Sequence, residues 1–280
     1  MTVFIEILKT IFLGVIQGIT EWLPISSTGH MIIVDALMPL QIYADEFANK
    51  EFVDMFMVVI QFGSILAVVL LYFNRLNPFA PSKSDKEKRA TWRLWFKVAV
   101  ASVPAAIVGL LFDDIIDSYL YNPITVAITL IVYGVLFILI ERKKLKPKFE
   151  TANKLTYKTA FMIGGFQMLA LIPGTSRSGA TIIGSTMLGC SRSLAAEFSF
   201  FLAIPVMFGA SLLKLIKMRI ALDMYGILIL LLGMVVAFAV SVVAIRKLMD
   251  YVRKHDFKVF GYYSIILGCL VLVWNLLKFI

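Results

Sequence analysis

The sequence predicts an all-α integral membrane protein with two inverted-topology repeats, each a re-entrant helical hairpin followed by three transmembrane helices. Three observations predict it: an apolar composition, a regular alternation of loop charge, and two polar breaks about 150 residues apart. Of 280 residues, 60% are hydrophobic and only 16% charged, and the mean hydropathy is +0.88. A soluble domain is about 45–50% apolar and about 25% charged. Spanning segments must satisfy their own backbone hydrogen bonds, and no strand-type alternation persists, so helices are expected rather than a barrel. The net charge of +9 is explained more simply by basic cytoplasmic loops than by nucleic acid. Cys190 and Cys269 lie in apolar segments and are expected as buried thiols, not as a disulfide or a metal pair. The N-terminus lacks the features of a cleaved signal peptide and is expected to stay in the mature chain.

In chain order, residues 3–23 are apolar but carry Glu6, Lys9, Gln17 and Glu21. Residues 31–38 are apolar and too short to span, since a span needs about 20 residues. Pro24, Gly29 and the hydroxyls of Ser26, Ser27 and Thr28 lie between, which predicts helix, break, helix. Met55–Phe73, Val98–Phe112 and Ile124–Ile140 read as spans. Residues 159–195 repeat the apolar, broken, apolar pattern around Pro173-Gly174-Thr175-Ser176-Arg177-Ser178-Gly179. Glu197–Leu213, Tyr225–Ile245 and Val259–Ile280 read as three further spans. The loops 35–54 and 113–123 are acidic, whereas 75–97, 141–158 and 246–258 are basic. The positive-inside rule therefore puts the basic loops in the cytoplasm. The connection 214–224 should lie outside, although Lys214, Lys217 and Arg219 run against the rule.

The chain is expected to be one membrane domain, 1–280, with repeat 1 at about 1–145 and repeat 2 at about 155–280. An offset of 150 lays Gly14 on Gly164, Gln17 on Gln167, Ser26 on Ser176 and Gly29 on Gly179, and recurrence in order favours duplication over chance. Each half holds one broken segment and three spans. An odd number of crossings inverts the second half, so the two tips are expected to meet near the midplane.

The tips carry the chemistry. Ser26, Ser27 and Thr28 can cap one helix N-terminus, and Ser176 and Ser178 another. Helix N-termini attract anions, phosphate above all, and the planar fork of Arg177 suits phosphate oxygens. Ser27 and His30 are three residues apart and can share a helical face. His30 can serve as base towards Ser27 or a water, as general acid, or as a covalent nucleophile itself, with Glu21 as its orienter in the base role. Gln17, one turn before Glu21, can hydrogen-bond ligand or water. A carboxylate at membrane depth is read as functional. An inverted-repeat transporter or polyprenyl-phosphate flippase is the rival reading, but anion transport does not require the Ser27, His30 and Glu21 set.

At these residues the sequence resembles the undecaprenyl-diphosphate phosphatase family, associated with bacitracin resistance. The likeness rests on Gln17 and Glu21, on Leu-Pro-Ile-Ser-Ser-Thr-Gly-His at 23–30, on Pro-Gly-Thr-Ser-Arg-Ser-Gly at 173–179 and on Glu197-Phe198-Ser199-Phe200. The resemblance implies hydrolysis of undecaprenyl diphosphate to undecaprenyl phosphate and inorganic phosphate, which recycles the lipid carrier of peptidoglycan synthesis. It implies Glu21, Ser27, His30 and Arg177 as catalytic residues. Gln17, Ser26, Thr28, Gly174, Thr175, Ser176, Ser178 and Gly179 are expected to bind substrate. It places the protein in the bacterial cell membrane with its site facing the extracytoplasmic side. Expected partners are the lipid substrate, the bilayer and a second copy in a homodimer, with no nucleic acid. A divalent cation, Mg²⁺ or Ca²⁺, is a candidate cofactor, although two-carboxylate binding meets Gln17 where the family often has Glu.

Overall fold

A computed structural model describes residues 2–120, 122–217 and 220–277, with Thr2, Asp113, Asp114, Asp117 and Lys217 described by their backbone alone. Its helices are α1 (Thr2–Thr20), α2 (Ser27–Leu37), α3 (Glu46–Leu71), the single turn α4 (Phe73–Leu76), α5 (Asp85–Leu120) and α6 (Pro123–Arg142). There follow α7 (Tyr157–Met168), a 3₁₀ turn at Leu169–Leu171, α8 (Arg177–Met187), α9 (Arg192–Lys217), α10 (Met224–Val252) and α11 (Lys258–Leu277). Among the described residues the only β-type pairing is one isolated bridge between Phe149 and Cys190.

Among the described residues seven helices are long and apolar enough to cross a membrane, one more than the six spans expected. The extra one is α1, whose polar side chains are paired: Lys9 Nζ donates to Glu6 at 2.8 Å and Gln17 Nε2 to Glu21 at 2.9 Å. The expected short span Val98–Phe112 and acidic loop 113–123 are corrected to one 36-residue helix. No strong breaker follows Pro104 until Asn122-Pro123, so the helix runs on to Leu120. Both cysteines are free thiols, but only Cys190 is buried; Cys269 is exposed on α11.

Contacts between connections sort them to two ends. Lys97 Nζ donates to the carbonyls of Ala152 (2.8 Å) and Asn153 (3.2 Å), and the N–H of Phe257 donates to Glu141 at 3.2 Å. The three basic stretches thus share one end, tied further by the Arg192–Glu141 ion pair. At the other end the Tyr43 hydroxyl donates to Asp223 at 2.9 Å, which joins the acidic 35–54 loop to the 214–224 connection. There the Gly226 N–H and the Tyr43 hydroxyl hold the Asp223 carboxyl below the usual carboxylate range. Arg219 lies outside the described residues, as does the Lys217 side chain.

Small residues let the helices approach closely, as expected where lipid offers no hydrophobic driving force between them. On α6 and α11, a Cβ added at Gly134 would lie 2.6 Å from the Gly261 carbonyl, and one at Gly261 would lie 2.7 Å from the Gly134 carbonyl. Gly261→Val should therefore destabilise the fold by about 1–3 kcal/mol. A thermal midpoint in detergent equal to that of the native chain would contradict this packing.

Candidate active site

The first tip follows from its sequence. Pro24 lacks an N–H and disfavours helix at Leu23, so α1 gives way to turns. The chain restarts at Ser26, whose φ of 68° is left-handed for a non-glycine residue and whose Oγ accepts the Gly29 N–H at 3.1 Å. Strained backbone of this kind persists only where its surroundings hold it. The restraint is His30, whose Nδ1–H donates to the Ser26 carbonyl at 2.7 Å. A carbonyl can only accept, so in the neutral ring Nε2 carries the lone pair and accepts the Tyr263 hydroxyl at 2.6 Å.

The second tip is its counterpart. Gly174 has φ 85°, and a Cβ there would lie 2.2 Å from Thr129 Oγ1 and 2.6 Å from Val126 Cα, so glycine is required. Ser176 caps α8 as Ser26 caps α2, accepting the Gly179 N–H at 3.0 Å. Each cap leaves the next two N–H groups, of Ser27 and Thr28 and of Arg177 and Ser178, without an intrahelical acceptor.

The tips meet although 150 residues separate them. Arg177 Nη2 donates to Glu21 Oε1 at 3.1 Å, and Nη1 donates to the Ser199 carbonyl at 2.9 Å. Ser27 Oγ donates to Glu21 Oε2 at 2.9 Å, and Gln17 Nε2 donates to the same oxygen at 2.9 Å. Ser178 Oγ lies 3.3 Å from the Leu23 carbonyl, joining the tips a second time. The Arg177 guanidinium stands 6.0 Å from the Trp22 ring centre, and Trp22 is fully buried, edge-on to Phe200. Arg177 is thus held at both terminal nitrogens, and its buried Nε–H has no partner among the described residues.

Glu21, Ser26, Ser27, Thr28, Thr175, Ser176 and Arg177 line one cavity of about 790 Å³, whose far part is apolar, with Leu110, Leu111, Leu212, Leu213 and Ile216. The remaining expected binding residues stand behind it. Gln17 is fully buried against Glu21, Gly174 packs on α6, Ser178 faces Ser176 and Leu23, and the Gly179 N–H is spent on the cap. His30 does not line that cavity and bonds neither Ser27 nor Glu21. Its ring nitrogens are taken by Ser26 and Tyr263, so the expected hydroxyl–imidazole–carboxylate chain is replaced by a direct Ser27–Glu21 contact.

Three polar lining residues, Gln61, Ser102 and Gln167, were not expected at the site. The 150-residue overlay signalled Gln167 by placing it on Gln17, and Gln61 is a lone amide within the Met55–Phe73 apolar run. The residues present do not form a protein cage for Mg²⁺ or Ca²⁺. Both Glu21 oxygens are already engaged, and among the described residues no three His, Cys, Asp or Glu side chains gather. Mg²⁺ is commonly held by one or two carboxylates completed by water and substrate phosphate, and Glu21 is the cavity-lining carboxylate that would serve it.

Residues 10–270 match the family model described as bacitracin resistance protein BacA. The chain is 58% identical over 274 residues to a protein of Acetivibrio thermocellus named undecaprenyl-diphosphatase, covering 97% of this chain and 98% of that one. It is 54% identical over 274 residues to the undecaprenyl-diphosphatase of Enterococcus faecalis, covering 96% and 97%. It is 55% identical over 270 residues to undecaprenyl-diphosphatase 1 of Clostridioides difficile, covering 96% of each. Likeness of that degree over nearly the whole length, with both tip motifs inside the matched region, makes this chain a member of the bacitracin-resistance BacA family.

Proposed function

We propose that this protein hydrolyses undecaprenyl diphosphate to undecaprenyl phosphate and inorganic phosphate in the bacterial cell membrane. That reaction recycles the lipid carrier for peptidoglycan synthesis and confers bacitracin resistance. One observation carries the reading: a serine hydroxyl, a carboxylate and an arginine fork converge at the polar end of a cavity whose other end is apolar. A polyprenyl diphosphate is polar and apolar in the same sense. Its terminal phosphate lies against Arg177 and the N–H groups at the starts of α2 and α8, where helix dipoles favour anions.

Ser27 Oγ attacks the terminal phosphorus as its proton passes to Glu21 Oε2. The bond from phosphorus to the bridging oxygen breaks, and that oxygen leaves with the electron pair on the lipid monophosphate. Glu21 releases that proton to solvent; water then attacks the phosphoserine, Glu21 takes a proton from the water and passes it to the departing Ser27 Oγ, and inorganic phosphate and free Ser27 result. Arg177 stabilises the charge on the phosphoryl oxygens through both displacements. Gln17 holds the carboxylate in place from behind.

We further read the two hairpins as inverted repeats with the site facing the extracytoplasmic side. The shared end of the three basic stretches supports a cytoplasmic placement for that end. The α9 part of the cavity lining runs from Pro205 to Ile216, towards the end that carries Asp223.

Purified protein in detergent should release inorganic phosphate from C55 diphosphate, and Ser27→Ala should lose that release almost wholly. In liposomes, translocation of labelled lipid without phosphate release would replace this reading with the transporter one.

A further inference from the structure

Gln167 lines the cavity at 2% exposure, and neither its Nε2 nor its Oε1 has a hydrogen-bond partner among the described residues. A buried amide without a partner destabilises a fold and calls for an explanation. Gln17, its counterpart at the first tip, spends its Nε2 on Glu21. Gln167 spends nothing, and it faces the cavity.

Its depth follows from its neighbours. A Cβ on Gly164 would lie 2.1 Å from the Ala101 carbonyl, and Leu171 meets the Cβ position of Gly109 at 3.5 Å. Gln167 lies between those two contacts along the hairpin, opposite Ser102 and Ala105, which also line the cavity. Helices α5 and α9 both start at the basic end, where Trp95 bonds the Leu76 carbonyl at 2.8 Å and Arg75, the preceding residue, pairs with Glu197. Ser102 and Ala105 are therefore level with the region of Pro205, one to two turns past Ser199. Ser199 anchors Arg177, and the apolar end is at Leu212 to Ile216, roughly 20–25 Å beyond it along the helix. Gln167 thus stands between the arginine and the apolar end.

On a polyprenyl diphosphate, the group between the terminal phosphate and the tail is the phosphate that stays on the lipid. We propose that Gln167 binds this retained phosphate, its Nε2–H donating to a non-bridging oxygen and its Oε1 accepting from a water shared with that phosphate. The proposal rests on the polyprenyl-diphosphate reading above. It makes Gln167 the residue that holds the leaving group and, after turnover, the product.

The test is Gln167→Leu, with inhibition constants for undecaprenyl monophosphate and for inorganic phosphate measured beside KM for the C55 diphosphate. KM and the monophosphate constant should rise together by about 10- to 100-fold, the size of one hydrogen bond to a charged group. The inorganic phosphate constant should stay unchanged. The thermal midpoint without ligand should not fall, because leucine removes an unpartnered amide. A rise in the inorganic phosphate constant alone would place Gln167 at the transferred phosphate and overturn the proposal. So would the absence of any shift in the monophosphate constant, whether or not the midpoint falls. In either case the native chain would still turn over, whereas failure of the underlying reading would show as no phosphate release by the native chain.

Discussion

Arg177→Ala should lower kcat/KM for C55 diphosphate by about 1,000-fold or more, the scale seen when an arginine or an oxyanion donor is removed from phosphoryl or acyl transfer. Two effects combine. The phosphoryl oxygens lose the guanidinium, whose Nε–H is unspent in the fold. Glu21, at 5% exposure, also loses its ion-pair partner, and an uncompensated buried carboxylate costs about 3–5 kcal/mol. Arg177→Lys should recover only part of the rate, since one ammonium cannot serve Glu21, the Ser199 carbonyl and a phosphate with the same planar fork. Glu21→Gln should lose a similar factor, because the amide takes no proton from Ser27. The double variant should fall far short of the product of the single losses, as expected for groups that act as one unit. Phosphate release assays on the purified variants decide this. Near-native turnover by Arg177→Ala would remove the site assignment.

His30→Ala should lose about 100-fold, and His30→Asn should recover most of it. The reason is geometric. Asn Nδ2 sits at the same side-chain depth as His Nδ1, so asparagine can still donate to the Ser26 carbonyl and hold the left-handed residue from which α2 starts. Alanine cannot, and the strained tip that aims Ser27 at Glu21 relaxes; misplacement of about 1 Å can cost about 100-fold. Were the imidazole the proton acceptor for Ser27, both variants would lose rate equally, and the pH profile of His30→Asn would lose a limb that the native profile has. Tyr263→Phe removes only the contact at Nε2 and should leave kcat/KM within a few-fold of native.

Much of this was legible in the residues. Apolar runs located the spanning helices, because a bilayer admits few backbones. Ser26 and Ser176 were readable as caps, because a hydroxyl before an apolar run has a helix N–H to accept. Glu21 and Arg177 stand out in the sequence because ionised groups at membrane depth are expensive, but their direct pairing is visible only in the fold. The acids at 113–117 suggest a loop, but charge does not by itself end a helix, and α5 runs on until Asn122-Pro123. Cys269 is exposed, and an apolar neighbourhood in sequence does not say which face of α11 packs on α6.

The sequence by itself determined the helical membrane class, the two tips, and the presence of a carboxylate and an arginine beside phosphate-friendly helix starts. These are local properties of residue type and spacing. Only the tertiary structure decided which groups share protons and which stand behind them. Ser27 reaches Glu21 directly, His30 turns to Ser26 and to Tyr263, 233 residues away in sequence, and Gln167 enters the cavity beside α5. Spacing along one helix narrows which side chains share a face, but the direction a side chain takes at a broken tip depends on what the rest of the fold packs against it.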